Sequence, residues 1–441
     1  MYFFWFRRDL RIHDNAGLYH ALKQAQSEGE QVQCLFIFDK NILDELTDPT
    51  DARLDFIHQQ LLEIDAQLRE HGSSLLVKHG TPEQVWWELS ESHPIKAVFT
   101  NRDYEPYALS RDQRVSEILT EKNAVFHTFK DHVLFEKDEV LKNDGTPYTV
   151  FTPYSRKWKE KLVSRPDAEA GSFYLKSYPS ESYLSALAQD TSLGVPDLAE
   201  IGFEKSKLEF PPKEVSRGLI RQYGETRNFP AVDGTSKLGV HFRFGTISIR
   251  AKARAAQGLS EVYLNELIWR DFYSQILAHF PHVVEQSFRP QYDRIEWRNN
   301  PDEFEAWCAG CTGYPLVDAG MRELAQTGYM HNRVRMVVAS FLCKHLLIDW
   351  RWGEAWFAQK LLDFDLASNN GGWQWAAGSG TDAAPYFRIF NPSEQLKKFD
   401  SKLVYVKKWV PEYGTTKYAK PIVEHVFARK RCLDVYQRAL K

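Results

Sequence analysis

The chain has 441 residues, 43% of them hydrophobic, enough for a large core spread over two or three domains. Its 56 basic and 59 acidic residues leave a formal charge of -3, which excludes a globally basic nucleic-acid binder and leaves any phosphate contact to a local patch. Five cysteines, no signal-peptide pattern and no apolar run long enough to span a bilayer give the expectation of a soluble, cytoplasmic protein without disulfides or membrane contact, and a monomer by default.

From the start, short apolar runs alternate with helical patterns. The runs are 2–6 (YFFWF), 32–38 (VQCLFIF), 74–80 (SLLVKHG), 96–101 (KAVFTN) and 124–129 (AVFHTF). The stretch 52–70 between two of them carries Leu54, Ile57, Leu61, Leu62 and Ile64 at helical spacing. This alternation predicts an α/β domain over 1–130, a doubly wound parallel five-stranded sheet whose ligands bind beyond the carboxyl ends of the strands. No G-x-G-x-x-G follows the first run, so the usual dinucleotide fingerprint is missing. Residues 131–200 read as a connector, and 201–441 as an all-α domain. Within it, 330–347 places Val334, Val337, Val338, Phe341 and Leu342 on one face.

Several clusters in the helical part could carry chemistry. Asp233-Gly-Thr-Ser-Lys-Leu-Gly239 suits either a helix cap or a pyrophosphate cradle. On a helix, Glu266, Trp269, Arg270 and Tyr273 share one face, beside an apolar stripe of Leu264, Ile268, Phe272 and Ile276. Such a face could equally be a salt-bridged surface under a Trp lid. Cys308 and Cys311 form one C-x-x-C without a second pair, so no metal site is expected. Nine of the thirteen Trp lie between Trp269 and Trp409, which suits a bulky core, flat ligands or electron movement. The richest stretch, 363–392, holds Asp363, Asp365, paired Asn369-Asn370, paired Gly371-Gly372, Trp373 and Trp375. A flat redox cofactor beside a second flat ligand would use all of these; a packed core alone would not.

These motifs, with 4–15 (FWFRRDLRIHDN) and 145–158 (GTPYTVFTPYSRKW), closely resemble the DNA photolyase/cryptochrome family, most of all the photolyases acting on cyclobutane pyrimidine dimers. The resemblance implies FAD as cofactor and UV-damaged DNA as partner. It assigns Tyr223, Thr235, Ser236, Lys237, Leu238 and Gly239 to the FAD phosphate region, with Gly239 where the family usually has Ser. Arg270, Asn332, Arg335, Asp363, Phe364 and Asp365 would contact the cofactor, an Arg335–Asp363 salt bridge would hold two helices around it, and Asn369 would face the flavin N5. A neutral amide there suits a flavin kept reduced.

Glu266, expected to be protonated, would hydrogen-bond the dimer, with Trp269, Asn332, Met336 and Trp375 around it. Arg333 and Gln395 would touch DNA. Trp373, Trp350 and Trp297 match the three Trp that relay electrons to an oxidised flavin. Asp103, Glu105 and Arg243 fall where relatives hold a second, antenna chromophore, of deazaflavin or flavin type in preference to folate. The resulting expectation is light-driven dimer repair. The alternative is a cryptochrome-type blue-light receptor without repair; a DASH-type relative and an unrelated flavin oxidoreductase fit the motifs less well.

Overall fold

The computed structural model describes residues 1–441. All five apolar runs form strands: β1 (Tyr2–Phe6), β2 (Val32–Asp39), β3 (Leu76–Gly80), β4 (Ala97–Asn101) and β5 (Val125–Phe129). They pair in parallel in the order β3-β2-β1-β4-β5, with Phe4 opposite both Cys34 and Phe99. β1, β2 and β4 are buried along their whole length, as expected of parallel strands covered on both faces. The crossovers are helical: α1 (Ala16–Glu28), α2 (Ala52–Arg69), α3 (Pro82–Ser92) and α4 (Pro106–Glu121). On one side Phe3, Trp5, Leu35, Ile37 and Val98 pack against Val85, Trp86 and Leu89 of α3 and Val115 and Leu119 of α4. The apolar stripe of α2 runs through Leu54, Leu61, Ile64 and Leu68; Leu62, expected inside, is 47% exposed because it points away from the sheet.

The helical part contains α5 (Phe151–Val163), α6 (Arg217–Thr226), α7 (Glu261–His279), α8 (Asn332–Ser340), α9 (Trp350–Lys360), α10 (Leu366–Ala377), α11 (Pro392–Phe399) and α12 (His425–Leu440). Its core gathers Trp307, Val334, Val338, Phe341, Leu342, Trp350, Phe357 and Trp373. The helix expected over 330–347 ends at Ser340 and continues as a π-turn, Phe341–Leu346, closed by Leu347 in the left-handed region (φ 53°).

The chain does not divide at 130 and 200. One compact unit comprises Met1–Glu136, Lys159–Lys213 and Leu238–Gly258, the other Lys137–Trp158, Glu214–Lys237 and Leu259–Lys441. The expected connector is therefore no separate piece: it holds α5 and short 3₁₀ turns that bury Tyr154, Trp158 and Leu175. Arg250, from the third segment of the first unit, bonds Asp14 at 2.9 Å and Asp131 at 2.7 Å, all three buried. Pairing is what makes such buried charges tolerable. No helix is long and apolar enough to cross a membrane.

One buried histidine gives the helical unit a pH dependence. His345 on the π-turn faces His425 of α12, Nε2 to Nδ1 at 2.9 Å. Burial first, then His425 and Arg431, push its pKa from 6.5 down to about 3. The unfolded chain takes up this proton first, so the stability is present above about pH 6.5 and drains away as the pH falls toward 3. The expected loss over that window is on the order of a few kcal/mol. Chemical denaturation from pH 7 to pH 4 should show it, and His345→Gln should make the profile shallower, the remainder coming from other buried groups such as His331.

Candidate functional site

The site is built on α7. Ser260 caps this helix by accepting from the Tyr263 N–H at 3.3 Å. Its register buries Leu264, Ile268, Phe272 and Ile276 and leaves Glu266, Trp269, Arg270 and Tyr273 half-exposed along the other side. Burial pushes the Glu266 carboxyl up, and an ion-paired hydrogen bond from Arg227 pulls it back. Burial outweighs the pairing, so the carboxyl stays above its usual range, the direction that favours the protonated acid expected from the sequence. Arg227 has no signal in the sequence because it ends α6, 39 residues upstream, where no local spacing links the two. The Trp269 indole lies parallel to Phe151, with centroids 3.7 Å apart.

α8 opens on His331, whose Nδ1 accepts the Arg333 N–H at 3.1 Å. Burial, then Arg335 and Arg333, push His331 down to about 4, so it caps as a neutral ring. Asn332 is exposed and Met336 half-buried. Arg333 donates to Asn228 Oδ1 at 2.6 Å and to Met336 Sδ at 3.6 Å, and lies 4.5 Å over the Phe399 ring. Burial first, then Arg227 and Arg388, lowers the Arg333 pKa. Arg227 and Arg388 thus lie close enough to Arg333 to repel its charge. Arg335 donates to both Asp363 oxygens, at 2.9 and 3.1 Å, and to the Met330 carbonyl at 2.7 Å, so the expected salt bridge is present.

α10 explains the doubled residues of the richest stretch: each pair is split between two sides of one helix. Asn370 is 3% exposed and donates to the Val283 carbonyl at 2.9 Å, Trp373 is 2% exposed, and Gly371 is where α10 meets α7. A Cβ on Gly371 would stand 2.2 Å from the Tyr273 ring. On the other side lie Asn369, Gly372 and Trp375, all more open. Asn369 donates to Glu354 Oε1 at 2.8 Å and to the Glu354 carbonyl at 3.1 Å. Glu354, on α9, is a further residue that no sequence motif singles out; burial raises its pKa. Asp365 caps α10 by accepting from the Ser368 N–H at 3.0 Å, and Phe364 is half-buried just before it.

The remaining expected residues are placed as follows. Thr235 Oγ1 lies 3.1 Å from the Tyr329 hydroxyl, and Lys237, in the left-handed region, pairs with Asp233 at 2.8 Å. Ser236 is half-buried beside them, and Tyr223 is buried edge-on to Tyr263. Leu238 and Gly239 begin a short helix that belongs to the α/β unit. Trp350 and Trp373 share the helical core, and Trp297 packs against it from a half-buried position. Trp307, which no motif marks, lies 6.0 Å from Trp373. Gln395 is half-buried on α11.

In the α/β unit, Arg8 bonds Asp103 at 3.0 Å and Glu105 at 2.7 Å, and Arg243 pairs with Glu105. Burial would raise the Asp103 carboxyl, but Arg8, His132 and Arg243 hold it well below the usual range. Cys308 and Cys311 belong to no cluster of three or more side chains able to hold a metal ion.

The helical unit fits an FAD. Gly372 sits inside a helix, where glycine is a poor choice, yet a Cβ there would meet nothing within 4 Å. Open space thus borders α10 between Asn369 and Trp375. Around it, the whole run from Asp363 to Asn369 is half-buried. The donors suit the parts of the cofactor: hydroxyls and an ammonium at Thr235, Ser236 and Lys237 for a diphosphate, and the Asn369 amide with the Arg335–Asp363 pair for the polar edge of a ring system.

Comparison with known proteins agrees with this geometry. Residues 2–171 match the DNA photolyase family, and residues 263–416 match the FAD binding domain of DNA photolyase. The deoxyribodipyrimidine photo-lyase of Synechococcus sp. is 37% identical, covering 99% of this chain and 96% of that protein. A bacterial class III photolyase from Agrobacterium tumefaciens superimposes with a TM-score of 0.85 at 32% identity, over 99% of this chain and 97% of that one. An archaeal photolyase from Sulfolobus tokodaii, solved with two FAD molecules, gives a TM-score of 0.82 at 35% identity, over 99% of both chains. With relatives of this identity aligned along nearly its whole length, the chain belongs to the DNA photolyase family.

Proposed function

We propose that this protein is a deoxyribodipyrimidine photo-lyase that binds FAD without a covalent bond and splits cyclobutane pyrimidine dimers in UV-damaged DNA under blue or near-UV light. The observation that carries this reading is the contact of Gly371 with Tyr273, which packs α10 on the helix bearing Glu266 and Trp269 and leaves Asn369, Gly372 and Trp375 on the more open side of α10. Apart from Leu238 and Gly239, the cofactor residues and the lesion residues belong to one unit. When bound and reduced, the flavin supplies the light-excited electron.

The chain's own groups position and polarise. Trp269 and Trp375 offer ring faces to a dimer that is already poorly stacked and cheap to extrude from the duplex. Arg333 and Gln395, with Arg227 and Arg388 close to Arg333, meet DNA phosphates. Glu266 holds the dimer by a hydrogen bond, with Arg227 setting its charge. Asn369, both of its amide N–H groups engaged by Glu354, offers the isoalloxazine its Oδ1 as a neutral acceptor and carries no proton to give away. Thr235, Ser236, Lys237, Leu238 and Gly239, with Tyr223, Arg270, Asn332, Phe364 and Asp365, complete the cofactor contacts. Trp373, Trp350 and Trp297 lead from the core toward the surface as an electron relay. In the α/β unit, Asp103, Glu105 and Arg243 border an antenna chromophore of flavin or deazaflavin type. The protein works as a soluble, cytoplasmic monomer.

The pre-reduced protein, illuminated with dimer-containing oligothymidylate, should restore thymine absorbance in light and not in the dark. No recovery with FAD bound and reduced would move the assignment to a cryptochrome-type receptor or another lesion. Glu266→Ala should lower repair per absorbed photon roughly fivefold or more, the scale of one lost charge-assisted hydrogen bond, with FAD retained; an unchanged yield removes its role. Trp350→Phe should abolish light-driven bleaching of oxidised flavin while sparing repair by pre-reduced protein, and equal bleaching would remove the relay.

A further inference from the structure

We propose that Phe151 is a positioning residue for Trp269: it stacks on one face of the indole while Tyr273 tilts against it with centroids 5.4 Å apart, and so fixes the plane in which Trp269 meets the dimer. The inference rests on the photolyase function proposed for this site. The two rings are parallel to within 2° with centroids 3.7 Å apart. Free aromatic pairs prefer offset or edge-on arrangements with centroids about 4.5–7 Å apart. So close a face-to-face pair is held by its surroundings rather than by its own attraction.

Several neighbours do the holding. The ring of Phe272, wholly buried, stands edge-on to both, at 83° to Phe151 and 84° to Trp269. The Phe151 N–H donates to Asp382 Oδ2 at 3.3 Å, and Asp382 is held at φ 46° in the loop after α10. The segment around Phe151 is laid along α7 by further bonds. Gln275 donates to the Tyr148 carbonyl at 2.8 Å, and Trp158 Nε1 donates to Asp271 at 3.0 Å. The motif spanning 145–158 thereby carries a ring to the back of the lesion-stacking tryptophan. Both rings are half-exposed, so the stack reaches the accessible side of α7.

The test measures dark binding of the FAD-loaded protein to a duplex with one cyclobutane thymine dimer and to the same duplex undamaged. Phe151→Ala and Phe151→Leu should weaken binding of the damaged duplex about three- to tenfold, the range of a lost aromatic pair, and leave the undamaged duplex unchanged. Phe151→Tyr should restore the difference, and Asp382→Ala should lose part of it. Melting temperatures of all four variants separate misfolding from misplacement, and Phe151→Tyr keeps the test open should the truncations unfold. Damaged-duplex binding that is unchanged or tighter in Phe151→Ala overturns the inference, since the ring would then be idle or a plug. Equal losses on both duplexes overturn it as well. Wild-type protein that does not distinguish the duplexes overturns the reading of the whole site, this inference included.

Discussion

The packing of α10 on α7 is the constraint from which the rest follows. At Gly371 the two helices are so close that a single added carbon would stand 2.2 Å from the Tyr273 ring. Only glycine permits that approach. It fixes the rotation of α10, and rotation decides which member of each doubled residue faces where. Asn370 and Trp373 turn into the core, while Asn369 and Trp375 turn toward the open side. The same rotation delivers Asn369 to Glu354 on α9. The site is therefore set by backbone proximity first and by side-chain hydrogen bonds second.

Charge is handled locally. The net charge of the chain is close to zero, yet Arg227 and Arg388 lie near enough to Arg333 to disturb it. The repulsion on Arg333 is tempered by Glu266, which pairs with Arg227, and by Asn228 and the Phe399 ring, which hold Arg333 itself. Held this way, an arginine cluster stays available to an anionic ligand without making the whole surface basic, which limits long-range attraction to unrelated polyanions. By contrast, Arg335 is already engaged by Asp363 and a backbone carbonyl, which ties α8 to the segment before α10.

Much of this is readable in the sequence because it is local. The five strands follow from uninterrupted apolar runs, and the face of α7 follows from helical spacing over eight residues. The Arg335–Asp363 pair follows from family resemblance. What the sequence hides are partners supplied from elsewhere: Arg227 for Glu266, Glu354 for Asn369, Phe151 for Trp269. Each is ordinary in its own neighbourhood and gains meaning only when another helix is laid against it. The interleaving of the two compact units is hidden for the same reason. A stretch such as 131–200 shows weak periodicity because it supplies isolated buried rings, not a continuous face. The π-turn after Ser340 is equally illegible, since such turns are rare single-turn interruptions of helices whose apolar pattern runs straight through them.

Gly372 carries a consequence of a different kind. A glycine inside a helix costs about 1 kcal/mol relative to alanine. Nothing around this one forbids a methyl group, for the space beside it is open. Alanine there would firm up α10 and set a methyl group in the open space between Asn369 and Trp375. Packing therefore does not account for this glycine: unlike Gly371, it could be replaced without displacing a neighbour, at a gain in helix stability.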